Sequence, residues 1–336
     1  MSAITYRQST REYTEGIGSL FQRVLLSYLI SSFLKIKFKR SELVFYNKHN
    51  TNYYSKKIYK LFSFFGEYLN SSNVVNINNI KDINKKKNRN YNLNFSLTES
   101  WFRKLNDKKK DKLISSLRTN FWIKNKIILR KNAIVLHLRN YSKGDDVLFN
   151  KFKFERSFPY QIFSFDYNLP DHNPAFYKNW YVSLVKRIIF DNKLKKKNTQ
   201  IYLCSTGPKK EFNKISEELS KLGKYKLLLN FNEFKTLKLM ISAEYLILAQ
   251  SSFSYLASFL NCGKKYIRNS FRHPLPRDVV LVKDHHLLKM SYFYYYYCRI
   301  LEKIFKFKLY LKYTDFTQII KNKLNNFLRY LLSWKK

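Results

Sequence analysis

The sequence predicts an α/β protein built on a parallel, doubly wound sheet. Short apolar runs of strand length recur between 133 and 268, helix-length amphipathic stretches follow them, and turn residues separate the two. Composition agrees. A chain of 336 residues with 45% hydrophobic residues supplies a sizeable core. With only 7 Gly and 6 Pro it is neither collagen-like nor a Pro/Gly-rich disordered chain.

In chain order, Leu20–Phe33 reads as a helix and Lys35–Phe45 as the source of a strand. Tyr53–Tyr68 and Asp107–Trp122 read as helices. Lys81–Asn94 is the strongest loop segment, with shorter polar, basic stretches at Asn106–Lys112 and Asp191–Thr199. From Ala133 the rhythm is regular. Ala133–Leu138 is a strand, Pro174–Phe190 a helix and Gln200–Cys204 a strand. Lys209–Leu222 is a helix with Phe212, Ile215, Leu219 and Leu222 on one face, and Gly223 stands where a C-terminal cap belongs. Lys226–Leu229 is a strand, and Asn232–Ser242 a helix with Leu237, Met240 and Ile241 inward. Tyr245–Ala249 is a strand, Ser254–Asn261 a helix closed by Gly263, and Lys265–Arg268 a strand. Met290–Lys336 is aromatic and basic with helical spacing, and is expected to form helices that pack back on the body.

The formal charge is +41, from 64 Lys+Arg against 23 Asp+Glu. Such a field attracts polyanions: nucleic acid, anionic lipid or a nucleotide diphosphate. Lys, Asn, Ile, Phe and Tyr share A/T-rich codons, so gene base composition accounts for part of the excess. The lysines spread into loops while the polar clusters sit at strand ends, so no specific nucleic-acid partner is expected. A basic nucleic-acid-binding protein without enzymatic activity is the alternative from a different class. Cys204, Cys262 and Cys298 form no Cys-x-x-Cys pair, which argues against a disulfide framework or zinc cluster and for a reducing compartment. Met1–Glu15 is polar, and Val24–Phe33 falls short of the ~20 apolar residues that span a bilayer. The expected location is the cytoplasm, with any lipid contact confined to a membrane surface. The aromatic run Tyr292–Tyr297 would be buried or lie at such a surface.

Parallel sheets bind ligands beyond the carboxyl ends of their strands. The first candidate site follows the strand ending at Leu138. His137 and Arg139 fall on one face there, and a guanidinium fork fits two phosphate oxygens. A buried histidine beside an ordinary surface arginine is the competing reading. The second site is Gln250-Ser251-Ser252-Phe253-Ser254, where a helix begins. One serine would serve as a cap. Three leave spare donors at the edge where free N–H groups bind anions. The third is Glu15-Gly16-Ile17-Gly18-Ser19-Leu20-Phe21-Gln22-Arg23, a tight turn opening a helix that is able to approach a diphosphate. It lacks the spacing of a Walker motif. His172 and His273 sit in loop contexts, and His285 and His286 lack further ligands at metal spacing, so no metal site is expected.

Taken together, these segments resemble glycosyltransferase family 11, the α-1,2-fucosyltransferases. That family opens with a Gly-Gly-Leu-Gly-Asn-Gln type loop, matched by Gly16, Gly18 and Gln22. Its His-x-Arg-Arg-Gly-Asp segment is matched by His137 and Arg139, but Asn140 replaces the second Arg and Gly144-Asp145 come four residues late. Its Ser-Ser-Phe-Ser type segment is matched by Ser251–Ser254, and Lys238–Tyr245 is similar to its Leu-x-Met-Ser-x-Ala-Asp-x pattern. The resemblance spans roughly Glu15 to Arg268. It implies a GT-B-like fold of two Rossmann-like domains facing a cleft. Residues 1–130 would form the acceptor-side domain, 131–285 the nucleotide-sugar domain, and 286–336 a helical aromatic, basic tail. It also implies GDP-fucose as donor, a glycan acceptor, inversion at the sugar carbon and no cofactor. By the same resemblance Arg139 binds the diphosphate, His137 shapes the pocket, and Ser251, Ser252 and Ser254 face the donor. The missing second Arg leaves another nucleotide sugar, GDP-mannose or a UDP-sugar, open.

Glycosyl transfer builds negative charge on the departing phosphate. Metal-dependent transferases offset it with a cation held by Asp-x-Asp, a motif this sequence lacks. Arg139 and the helix start at Ser251–Ser254 would take that role. Asp145 is the candidate base, with Asp146 and Glu155 as the other carboxylates in reach.

Overall fold

The computed structural model describes residues 2–7, 17–41, 43, 65–69, 73–84, 87–138, 174–268 and 273–282. All of them lie within one compact unit, Met1–Val282. The architecture is α/β with two wholly parallel sheets, each flanked by helices.

The first sheet has strands β1 (Ala3–Tyr6), β2 (Lys37–Arg40), β3 (Glu67–Tyr68), β4 (Val74–Ile77) and β5 (Asn90–Leu93), in the order β3-β2-β1-β5-β4. Its helices are α1 (Ile17–Leu34), α2 (Phe95–Lys104) and α3 (Asp107–Asn125). The second sheet has β6 (Arg130–His137), β7 (Gln200–Ser205), β8 (Lys224–Leu229), β9 (Ala243–Leu248), β10 (Lys264–Ile267) and β11 (Val279–Leu281). Their order is β11-β10-β9-β6-β7-β8. Its helices are α4 (Pro174–Asp191), α5 (Asn213–Ser220), α6 (Glu233–Ser242) and α7 (Ser252–Leu260).

The strands that were easiest to read are covered on both faces. Ala133–Leu136 and Leu246–Leu248 are buried without interruption, which turns a period of two into a continuous apolar run. The abundant asparagines start helices. Asn94, Asn106 and Asn232 accept the N–H of Leu97, Lys109 and Lys235 at 2.8, 2.9 and 3.0 Å, each satisfying a donor that the helix leaves open.

Several expectations are corrected. β1 lies in the polar opening stretch, yet all four of its residues are buried, because it is the central strand of the first sheet. Lys81–Asn94 is not one loop. A 3-10 turn covers Ile80–Asp82, and Asn90–Leu93 is a strand with Tyr91 and Leu93 inward. Glu67–Tyr68 is strand, not the end of a helix, and 53–64 lies outside the described residues. The helix expected over Asp107–Trp122 is present as α3, Asp107–Asn125, and the polar stretch Asn106–Lys112 is its capped first part, not a separate loop. Lys209–Phe212 is 3-10, and α5 ends at Ser220. Gly223 and Gly263 are not left-handed caps; Lys221 and Asn261 hold the cap positions. Both glycines are set by close approach. A Cβ on Gly223 would lie 2.8 Å from the Thr199 carbonyl oxygen, and one on Gly263 would lie 2.3 Å from that of Glu244. The segment 286–336 lies outside the described residues.

The two sheets' helices share one apolar cluster. Leu20, Phe21 and Leu25 of α1, Phe102 of α2, Phe121 of α3, and Tyr255 and Phe259 of α7 all belong to it and are essentially inaccessible. α3 also caps the far end of α7. Arg118 Nε donates to the Phe259 carbonyl at 2.9 Å, its Nη2 to Ser258 at 3.0 Å, and Trp122 Nε1 to Leu260 at 2.6 Å. These are the orphan carbonyls of a helix C-terminus, satisfied by side chains. The same guanidinium grips Asp278 with Nη1 at 2.6 Å and Nη2 at 3.1 Å. Asp278 also takes the fully buried Lys265 at 2.7 Å. Lys265 further donates to the carbonyls of Asn261 at 3.1 Å and Gly263 at 2.8 Å. Burial, then the Arg118 charge, pull its pKa down while Asp278 pushes it up. The net effect lies below the usual lysine value, and three oxygen acceptors around Nζ match its three N–H donors.

Candidate functional site

The site lies where growth of the second sheet reverses. From β6 the chain builds β7 and β8 on one side, then returns to pair β9 with the other side of β6. The crevice beyond the carboxyl ends of β6 and β9 is the topological switch point, the place where open parallel sheets take ligands. His137 ends β6, and the turn Ala249–Ser251 follows β9.

The turn is held from within. Ser251 is the N-cap of α7, and its hydroxyl accepts the Ser254 N–H at 3.1 Å. Its carbonyl accepts the Tyr255 N–H at 2.9 Å. Ser254 Oγ accepts the Ala249 N–H at 3.1 Å and lies 2.7 Å from His137 Nδ1. Ser254 is only 1% exposed, so its hydroxyl orients the imidazole and does not face solvent. The Phe253 ring stands 5.7 Å from the His137 ring, tilted by 58°. The N–H groups of Ser252 and Phe253 have no partner among the described residues, which leaves two donors of the first turn for an anion.

The exit from β6 is also fixed. Leu138 N–H donates to the Cys204 carbonyl at 2.9 Å, and Ser205 Oγ donates to the Leu138 carbonyl at 2.8 Å. Burial pushes the Cys204 thiol up to about 12, so it packs as an apolar group and is no nucleophile.

α1 brings the glycine motif to the same turn. A Cβ on Gly18 would fall 2.5 Å from the Phe253 nitrogen and 2.8 Å from both Phe253 Cα and the Ser252 carbonyl carbon. Only glycine permits that approach. Ser19 Oγ donates to Ser252 Oγ at 3.1 Å. Gln22, one turn on, is 1% exposed. It lies beside Tyr255, whose phenol is raised well above its ordinary value, first by burial and then by the Glu99 charge, with Arg103 and Gln22 acting the other way.

Gly18, Gln22, His137, Ser251, Ser252 and Ser254 therefore form one cluster. Gly16, Arg139 and Asp145 lie outside the described residues, as do Asp146 and Glu155. Ser19 falls within the third candidate segment but has no separate role there, and Ser205, at the end of β7, is not among the expected site residues. Two cations gain a position: Arg23, the last residue of the third candidate segment, and Arg268, which the sequence reading gives no role. Arg23 on α1 sits 5.0 Å above the Phe95 ring with Nη1 3.4 Å from Tyr6 Oη, at the carboxyl edge of the first sheet. Arg268 follows β10 at the carboxyl edge of the second and is 8% exposed. His273 stands in a loop, as expected. It is buried, with Nδ1 2.8 Å from Glu99 Oε1 on α2. Burial alone would raise Glu99, but His273 and Arg103 outweigh it and hold the carboxyl below its usual range. Among the described residues no group of three or more His, Cys, Asp or Glu is placed to hold a metal ion.

No protein-family model matches the chain, and no curated protein matches it. Among solved structures, the crystal structure of POFUT1 in complex with GDP aligns at 12% identity over 78% of this chain and 70% of that one, with a TM-score of 0.27. POFUT1 in complex with GDP-fucose aligns at 14% identity over 78% and 71%, with a TM-score of 0.28. The E. coli heptosyltransferase WaaC with ADP aligns at 9% identity over 84% and 93%, with a TM-score of 0.39. At such scores the site must be read from its own geometry.

Proposed function

We propose that this chain is an inverting glycosyltransferase that takes a nucleotide-diphosphate sugar, with GDP-fucose the first donor to test, and moves the sugar to a glycan hydroxyl without a metal. One observation carries the reading: the glycine-opened start of α1 abuts the serine turn of α7 at the switch point beside His137. Both motifs belong to the fucosyltransferase-like pattern, and they meet although they stand at opposite ends of the described sequence.

In this reading the pyrophosphate lies over the N–H groups of Ser252 and Phe253, with Ser252 Oγ beside it. Arg139, next in the chain after Leu138, places its fork on two phosphate oxygens and offsets the leaving-group charge. His137, held by Ser254, forms the pocket wall. The acceptor hydroxyl attacks from the far side of the sugar, and Asp145 takes its proton. Residues 1–130 carry the acceptor and 131–285 the donor.

Thermal-shift titration with GDP, GDP-fucose, GDP-mannose and UDP-sugars tests it. A ligand at a hundred times its Kd raises stability by about 2.7 kcal/mol, a readily measured shift. GDP and GDP-fucose are expected to stabilise the protein, and Arg139→Ala to remove the shift and the transfer without unfolding the chain. No response to any nucleotide, or normal turnover by Arg139→Ala, would overturn the assignment.

A further inference from the structure

We propose that the edge of the second sheet at which its strands begin, opposite the candidate site, is a docking face for an anionic lipid bilayer. Isolated exposed apolar side chains are ordinary. Those on this edge are not isolated. Ile128, 81% exposed, lies in the segment leading into β6, and Phe190, 82% exposed, lies at the end of α4 leading toward β7. Ile123, 73% exposed, lies in the last turn of α3 just before the same segment. β6 and β7 are neighbours, paired from Ala133 and Gln200, so these segments enter the sheet side by side.

Cations frame the apolar groups. Lys126, Arg130 and Lys131 are exposed around Ile128, and Lys193 and Lys195–Lys197 are exposed after Phe190. Lys126 and Lys193 sit in left-handed turns, with φ of 48° and 51°. The one carboxylate in the second segment, Asp191, is paired with Arg187 at 3.3 Å. Lys195, Lys196 and Lys197 have no carboxylate partner among the described residues.

This pairing of chemistries selects the occupant. Each Lys or Arg near an anionic leaflet contributes roughly 1 kcal/mol, and apolar side chains that enter the acyl boundary supply the complementary hold. Single-stranded nucleic acid would want successive aromatic platforms, whereas two of the three apolar groups are isoleucines. A second copy would bring the same positive edge against itself. Among the described residues no helix is long and apolar enough to cross a membrane, so the contact is interfacial. Docked this way, the strand carboxyl edge, with His137 and the serine turn, faces water. The inference does not rest on the glycosyltransferase reading.

Flotation of the full chain with vesicles tests it, comparing phosphatidylcholine alone with phosphatidylcholine mixed with phosphatidylglycerol. The expected result is binding to the mixed vesicles only, weakened by salt. Two variants, Ile128→Ser with Phe190→Ser, and Lys195→Glu with Lys196→Glu and Lys197→Glu, should each lower that binding by about tenfold or more. Both change exposed side chains only, and circular dichroism melts should match the parent. Several results would overturn the proposal: no binding to mixed vesicles, unchanged binding by both variants, equal binding to neutral vesicles, or loss of self-association or oligonucleotide binding in the variants with vesicle binding intact. GDP binding is expected to be unaffected by either variant, which separates this test from that of the site.

Discussion

At Gly18 a hydrogen in place of a methyl group decides whether two helix starts can touch. Gly18→Ala would force a methyl to 2.5 Å from the Phe253 nitrogen, a backbone atom that cannot swing away. We expect a loss of about 1–3 kcal/mol in urea unfolding, the usual scale for overpacking, together with weaker GDP binding. Ser254→Ala leaves the Ala249 N–H and His137 Nδ1 without their shared partner and should cost about 1–3 kcal/mol by the same measurement. The serine motif was legible in the sequence, but the division of labour was not. One hydroxyl reads as a cap and the rest as spare donors, with nothing to say which is which. Packing commits Ser251 to the cap and Ser254 to His137, and leaves Ser252 as the one that meets α1. Which hydroxyl turns inward depends on helix phase at the first residue, and a cap signal locates that only to within a residue or two.

At the scale of elements, α7 is gripped at both ends, by its own Ser251 at the start and by Arg118 and Trp122 of α3 at the finish. Arg118→Lys keeps the charge but loses the planar fork, which here serves two carbonyls and Asp278 at once. A destabilisation of about 2 kcal/mol is expected in calorimetry. Burial alone would raise Asp278, but Arg118 and Lys265 outweigh it, so its folded pKa lies below the ordinary 3.8. A carboxyl shifted this way adds stability that is complete above its unfolded pKa and disappears as pH falls through the folded one. Wild type should therefore exceed Asp278→Asn in stability at neutral pH, with the advantage fading below pH 3.8. An advantage that persisted unchanged at lower pH would refute the ion-pair account. β6, β7 and β9 were legible because burial on both faces writes an unbroken apolar run. β5 was not. Its sequence, Asn-Tyr-Asn-Leu, shows two buried residues in an asparagine-rich stretch that elsewhere makes turns and caps.

Over the whole molecule, the carboxyl edge of the second sheet, where α1 meets α7, gathers the candidate site, and the opposite edge gathers exposed lysines and apolar groups. Part of the basic excess, Lys126, Arg130, Lys131, Lys193 and Lys195–Lys197, is thereby placed at that edge, which composition alone could not assign. The α/β class was legible from periodicity. The meeting of α1 with α7 was not, since nothing local in either segment encodes a partner more than two hundred residues away. Because no Asp-x-Asp is present in the sequence, transfer is expected to persist in EDTA; loss in chelator with recovery on adding Mn²⁺ would contradict the charge-offset role given to Arg139 and α7. The most direct test is a crystal structure of the chain with GDP. Phosphate oxygens should lie within hydrogen-bond distance of the Ser252 and Phe253 N–H groups, with the Arg139 guanidinium on the same diphosphate. GDP seated elsewhere, or a diphosphate touching neither α7 nor Arg139, would contradict the account.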